Sequence, residues 1–212
     1  MKYSQRLPTL CLLNQRILAL SADVIVWELP AQIRPLRLGV AGSQPCEIEA
    51  PWPRLLICAK RCSHDQVELR VIAVRRKGRI LPKTPTFHAP LMNVSEDGIF
   101  TPSAPYGRID PMLIEEYETY ILDNIYSATG HGSTMRLPGV IDRGSVSSYQ
   151  NMREWRSLAR EGVNRFPGGM LTPRKQTVDS WLQEIDSAKP RYPNVFELVV
   201  SGATNEKKEA AL

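Results

Sequence analysis

Two apolar runs, RLLICAK (54–60) and QVELRVIAV (66–74), are joined by only five residues. A connection that short cannot carry the crossover of a dozen or more residues that parallel strands require, so the two runs predict an antiparallel pair. Val67, Leu69 and Val71 alternate as strand residues do, and Cys58 reads as a small buried hydrophobe within its run. His64 reads as a turn residue of the connection. Upstream, DVIVWEL (23–29) and RPLRLGV (34–40) predict two more strands around the Pro30 to Pro35 region, and the Pro/Gly/Ser-rich GSQPCEIEAPWP (42–53) predicts a loop. Downstream, RRKGR (75–79) stands between Val71, Ala73 and Val74 on one side and Ile80 and Leu81 on the other. Gly78 suits a hairpin tip, and no aromatic residues interleave with the charges as they would in a single-strand-binding surface.

The pattern changes at Asp110. An Asp followed by Pro111 predicts a helix start: a side-chain cap, then a proline whose missing N–H costs nothing at the first helical position. DPMLIEEYETYILDNIYSA (110–128) then sets Leu113, Ile114, Tyr117, Ile121, Leu122 and Ile125 on one stripe. Glu115, Glu116 and Glu118 read as a solvated face that complements the helix dipole. Two further helices are predicted at YQNMREWRSL (149–158), with Met152, Trp155 and Leu158 on one side, and at TPRKQTVDSWLQEI (172–185), with Val178, Trp181, Leu182 and Ile185. Strands followed by helices imply an α+β architecture, an antiparallel sheet covered on one face.

At 212 residues the chain fits one domain, and its net charge of +5 permits acidic partners without arguing for them. The cysteines at 11, 46, 58 and 62 include no second pair to complete a zinc site, so neither a metal nor another cofactor is expected. The first twenty-two residues imitate a signal peptide, yet Asn14, Gln15 and Arg16 interrupt the apolar stretch. The expected location is the cytoplasm, with no membrane span.

The segment FHAPLMNVSEDGIFTPSAPYGRIDP (87–111), at the junction of the two halves, is rich in Pro, Gly, Ser and Asn and has little periodicity, as functional loops often do. Together with TPTFHAPLMNVSEDGIF, IYSATGHGS and FPGGMLTPRKQTVDSWL, it resembles the ubiquitin-conjugating enzymes. The similarity is closest to the prokaryotic conjugating-enzyme-like family D, which includes a PRTRC-system protein of plasmids and mobile elements. It covers about residues 20–185 and is strongest over 80–131.

The resemblance implies a ubiquitin-conjugating-enzyme-like antiparallel sheet packed against helices, a single domain over 1–190 with an N-terminal extension, and a polar, partly disordered tail over 191–212. Of the His-Pro-Asn signature only the asparagine survives, as Leu91-Met92-Asn93. The catalytic cysteine expected eight positions later is Thr101. The family histidine after the helix corresponds to His131. His88 reads as a strand-end packing residue.

Three functions follow. The first is a non-catalytic conjugating-enzyme-like subunit that binds a ubiquitin-like protein, its ThiF-like activating enzyme, or both. The second is a conjugating enzyme in which Thr101 forms an oxyester, His131 is general base and Asn93 the oxyanion donor. The third is a nucleic-acid-binding module of a mobile element, which the weak charge clustering disfavours.

Overall fold

The computed structural model describes residues 15–39, 44–62, 66–75, 77–101, 104, 109–127, 135–137 and 148–187. His64, His131 and the 191–212 tail lie outside the described residues.

The two apolar runs pair as expected. Strand β5 (Arg54–Arg61) runs antiparallel to β6 (Val67–Val74), in register from Arg54↔Val74 to Arg61↔Val67. They are the middle of a six-stranded antiparallel sheet that also contains β1 (Ile17–Leu20), β2 (Val24–Leu29), β7 (Pro85–His88) and β9 (Pro173–Thr177), in the order β1-β2-β5-β6-β7-β9. A three-stranded sheet, β4-β3-β8, is made of β3 (Gln32–Gly39), β4 (Cys46–Trp52) and β8 (Ile125–Ser127).

The 42–53 stretch, expected to be a loop, contains β4. Its prolines mark a change of sheet. β2 and β3 are separated by Pro30 and Ala31, and β4 and β5 by Pro53 alone. One long antiparallel pair therefore has its lower half, β2 on β5, in the large sheet and its upper half, β3 on β4, in the small one. Proline lacks the ladder N–H, which favours a break in pairing at Pro30 and Pro53. Pro51, inside β4, is tolerated because β4 is an end strand of its sheet. A two-point ion pair closes the bend. Arg54 Nε donates to Glu28 Oε1 at 2.7 Å and Nη2 to Oε2 at 2.6 Å.

The apolar content of β5 and β6 follows from burial on both faces, not one as expected. Trp27, Ile57, Ala59, Leu69 and Val71 face the main core, while Val26, Leu56, Cys58, Ile72 and Val74 meet Val178, Trp181 and Ile185 of helix α3 (Val178–Ser187). Burial pushes the Cys58 thiol up to about 12.

The helix start is where the sequence placed it. Asp110 Oδ1 accepts from Met112 N at 2.9 Å and caps a 3-10 turn, Pro111–Leu113, that leads into α1 (Ile114–Leu122). The helix ends six residues short of the expected Ala128. Ile125 continues the apolar spacing but belongs to β8, which pairs parallel to β3 with Arg37↔Ile125, Leu38↔Tyr126 and Gly39↔Ser127. Gly39 permits this approach, since a Cβ there would stand 2.5 Å from Ile125 Cγ2.

Helix α2 (Ser148–Arg160) forms as predicted and places Trp155 6.4 Å from Trp52 in the core. The last predicted helix begins only at Val178, because residues 173–177 are drawn into the large sheet as β9 beside β7. Glu118 is a further correction. It is buried rather than solvated, its Oε1 accepting from Trp27 Nε1 at 2.8 Å and Arg16 Nη1 at 2.6 Å. Glu115 and Glu116 are exposed as expected.

Candidate functional site

The segment after β7 is less irregular than its composition suggests. Leu91, Met92, Val94 and Phe100 are buried in the main core. Between them the chain makes a small hairpin: Gly98 N donates to Ser95 O at 2.8 Å, Ser95 N to Ile99 O at 2.9 Å, and Val94 bridges to Phe100. The outgoing arm also pairs with β6, with Val71 N on Gly98 O at 2.7 Å and Phe100 N on Leu69 O at 2.8 Å. Gly98 is needed at the turn. Its φ is 82°, and a Cβ would meet Val71 O at 3.2 Å and Arg174 Nη1 at 3.1 Å.

This hairpin gives the eight-residue spacing its physical meaning. Residues 93 and 101 are opposite one another, and Thr101 N donates to Asn93 O at 2.8 Å. The exposed Thr101 side chain reaches the same atom, its Oγ1 donating to Asn93 O at 2.8 Å. The structure thus brings together two of the three residues singled out from the sequence, through the asparagine's backbone. The Asn93 side chain is turned toward β8: Nδ2 donates to Ile125 O at 3.0 Å, and Oδ1 accepts from Ser127 N at 3.4 Å. Its amide is therefore occupied by a strand and is not directed at the Thr101 hydroxyl. His131, the third candidate, lies outside the described residues.

Sequence reasoning missed the support beneath the hairpin. Arg174, which the sequence placed in the first turn of a predicted helix with no role of its own, has a nearly buried side chain and donates from Nη1 to Glu96 O at 2.8 Å and from Nε to Gln176 Oε1 at 3.2 Å. Gln176 Nε2 donates to Glu184 Oε2 at 2.8 Å, and Glu184 also pairs with Arg70 at 3.4 Å. Arg70 forms a backbone bridge with Ile99 of the hairpin. Burial holds Arg174 below its ordinary pKa, opposed by the Glu184 and Asp97 carboxylates. An arginine in a polar stretch of sequence gives no sign that it will be roofed over, so only the tertiary pairing of β9 reveals this role. His88 closes β7 as expected for a packing residue. Burial first, then Arg174, pushes its pKa down.

On the far side of Asn93's anchor, an open cleft of about 760 Å³ lies between α1 and β8, lined by Glu115, Glu116, Asp123, Tyr120 and Arg37 among others. Tyr120 also packs edge-on against Phe100, the neighbour of Thr101. Tyr126 is fully buried beneath, its hydroxyl donating to Ile121 O at 2.8 Å, and burial raises its pKa. Among the described residues no group of three or more His, Cys, Asp or Glu is placed to hold a metal ion, and no helix is long and apolar enough to cross a membrane.

The family model described as prokaryotic E2 family D matches residues 1–100. The match bears out the family read from the residues. It includes Asn93 and the hairpin turn and ends one residue before Thr101. No curated protein and no solved structure matches the chain.

Proposed function

We propose that the chain is a ubiquitin-conjugating-enzyme-like protein of a bacterial pathway that keeps the scaffold without the thioester chemistry. On this reading residues 1–190 form one conjugating-enzyme-like domain. It works in the cytoplasm, of a PRTRC or related mobile-element system, and binds a ubiquitin-like protein, a ThiF-like activating enzyme, or both. The family match supports a conjugating-enzyme-like protein in general.

The observation that carries the non-catalytic reading is the bond from Thr101 Oγ1 to Asn93 O. A cysteine is partly ionised in the cell, with a free pKa of about 8.5, whereas an alcohol needs a base to take its proton. Here that proton rests on a peptide carbonyl, which is too weak a base to remove it. The Asn93 amide, held by Ile125 and Ser127, would have to leave β8 before it could stabilise an oxyanion at position 101.

The test is a reconstituted reaction with a ThiF-like activating enzyme, ATP and a ubiquitin-like protein from the same source organism. The expected result is calorimetric binding to at least one of them and no covalent adduct on the wild-type chain. Thr101→Cys gains an adduct that reductant removes. A wild-type adduct that resists reductant, yields to hydroxylamine and vanishes in Thr101→Ala would establish the oxyester enzyme instead, with His131→Ala slowing its formation. Absence of binding to both proteins, with salt-sensitive binding to duplex DNA, would favour the nucleic-acid module.

A further inference from the structure

A second surface, sharing no residue with the Thr101 hairpin, is built for a ligand of opposite charge. Helix α2 packs on β4, and between them runs an open groove of about 590 Å³ lined by Cys46, Ile48, Glu49, Arg153, Arg156 and Arg160. The arginines stand at i, i+3 and i+7, so they share one side of the helix and extend over about 10 Å of its length. Arg153 and Arg160 are exposed and Arg156 half-buried, and among the described residues none of the three is paired with a carboxylate. Glu49 is the one acid lining the groove.

Its floor is a strand edge. Ile48 and Glu49 are adjacent and leave a strand on opposite faces, yet both line the groove, so it follows the edge of β4 rather than one face. Among the described residues β4 pairs with β3 alone, and its other edge has no strand partner.

We propose that this groove docks an acidic peptide segment of a partner protein, taken up in extended form along β4. An added strand would supply backbone hydrogen bonds to the edge short of Pro51, which has no N–H to offer, and two carboxylates on alternate positions, about 7 Å apart, fit within the row of about 10 Å that the arginines span. Guanidinium forks bind carboxylates through paired hydrogen bonds, which favours arginine over lysine at such a site. Nucleic acid fits less well, because a sugar-phosphate backbone offers no strand-like row of donors and acceptors to the edge of β4, and no aromatic residue lines the groove to stack on a base.

The experiment uses the full chain and three probes at low ionic strength: a fluorescent peptide of alternating Glu and Val, its Lys and Val counterpart, and a short DNA duplex. Saturable binding of the acidic peptide alone is expected, weakened about tenfold or more in the double variant Arg153→Glu, Arg156→Glu. A second readout needs no variant. Cys46 is exposed in the groove, so bound acidic peptide should slow its alkylation, followed by peptide mapping. The proposal is overturned if the acidic peptide fails to bind, if binding neither shields Cys46 nor responds to the arginine substitutions, or if duplex DNA binds the groove more tightly. Either result leaves the Thr101 reading untouched.

Discussion

Glu118 offers the sharpest test of how the core is held. Its carboxylate is 11 % exposed and is the shared acceptor of Trp27, which is fully buried, and Arg16, whose side chain is 28 % exposed. Arg34 lies within its field as well. Burial lowers the Arg34 pKa, and Glu118 is the charge that opposes this. Replacing Glu118 by Leu leaves the Trp27 N–H without an acceptor, a desolvation cost of about 1–3 kcal/mol. It also leaves the two guanidinium groups without their shared counter-ion. Arg16 is exposed enough for water to recover part of this, and the added apolar surface offsets about 1 kcal/mol. The net expectation is a loss of about 2–4 kcal/mol. Glu118→Gln keeps an oxygen for Trp27 and forfeits only the charge, so it should cost about 1 kcal/mol. Urea denaturation followed by circular dichroism gives both values. A double cycle with Trp27→Phe isolates the bond: the Leu substitution should cost about 1–2 kcal/mol less when the indole donor is already gone. If the Gln and Leu variants are equally stable, or the two positions are additive to within about 0.5 kcal/mol, the buried acceptor has no such role.

Iodoacetamide at pH 8 should modify Cys46, which is exposed, and leave Cys58 unmodified until the protein unfolds, as peptide mapping would reveal. Because the folded Cys58 pKa is raised from 9.0 to about 12, its contribution to stability is complete below pH 9 and is lost as pH rises toward 12, so the urea midpoint of wild type should fall faster there than that of Cys58→Ala. Gly98→Ala should lose about 1–3 kcal/mol, since strain at positive φ combines with the fixed Val71 carbonyl. Gly162→Ala, with φ of 63° and open space around it, should lose about 1 kcal/mol; equal melting temperatures for the two would refute the steric account.

The elements that were legible from sequence are those whose periodicity is local. The β5 and β6 runs, the Asp110 cap and the Met152, Trp155 and Leu158 face of α2 all announce themselves within a few residues. What escaped depends on distant partners. Pro51 and Pro53 read as loop residues because nothing nearby says that β4 ends one sheet while β5 enters another. Ile125 fits a helical stripe as well as a strand, and only the gap beside Gly39 decides between them. Glu118 is one of three neighbouring acids, and its burial follows from Trp27 lying 91 residues away. At the candidate site the spacing from Asn93 to Thr101 was readable, but not the direction of the asparagine side chain, which is set by a strand that follows the next helix.

That anchoring has a consequence for any attempt to transplant the site. The stretch matching the family, residues 1–100, carries Asn93 and the turn at Gly98. Both partners of the Asn93 side chain, Ile125 and Ser127, and the arginine that braces the turn, Arg174, come from the other half of the chain. A fragment cut after residue 100 would contain the asparagine but neither the atoms that orient it nor the threonine opposite. The geometry at position 101 is thus joint property of both halves, and the two can diverge only together.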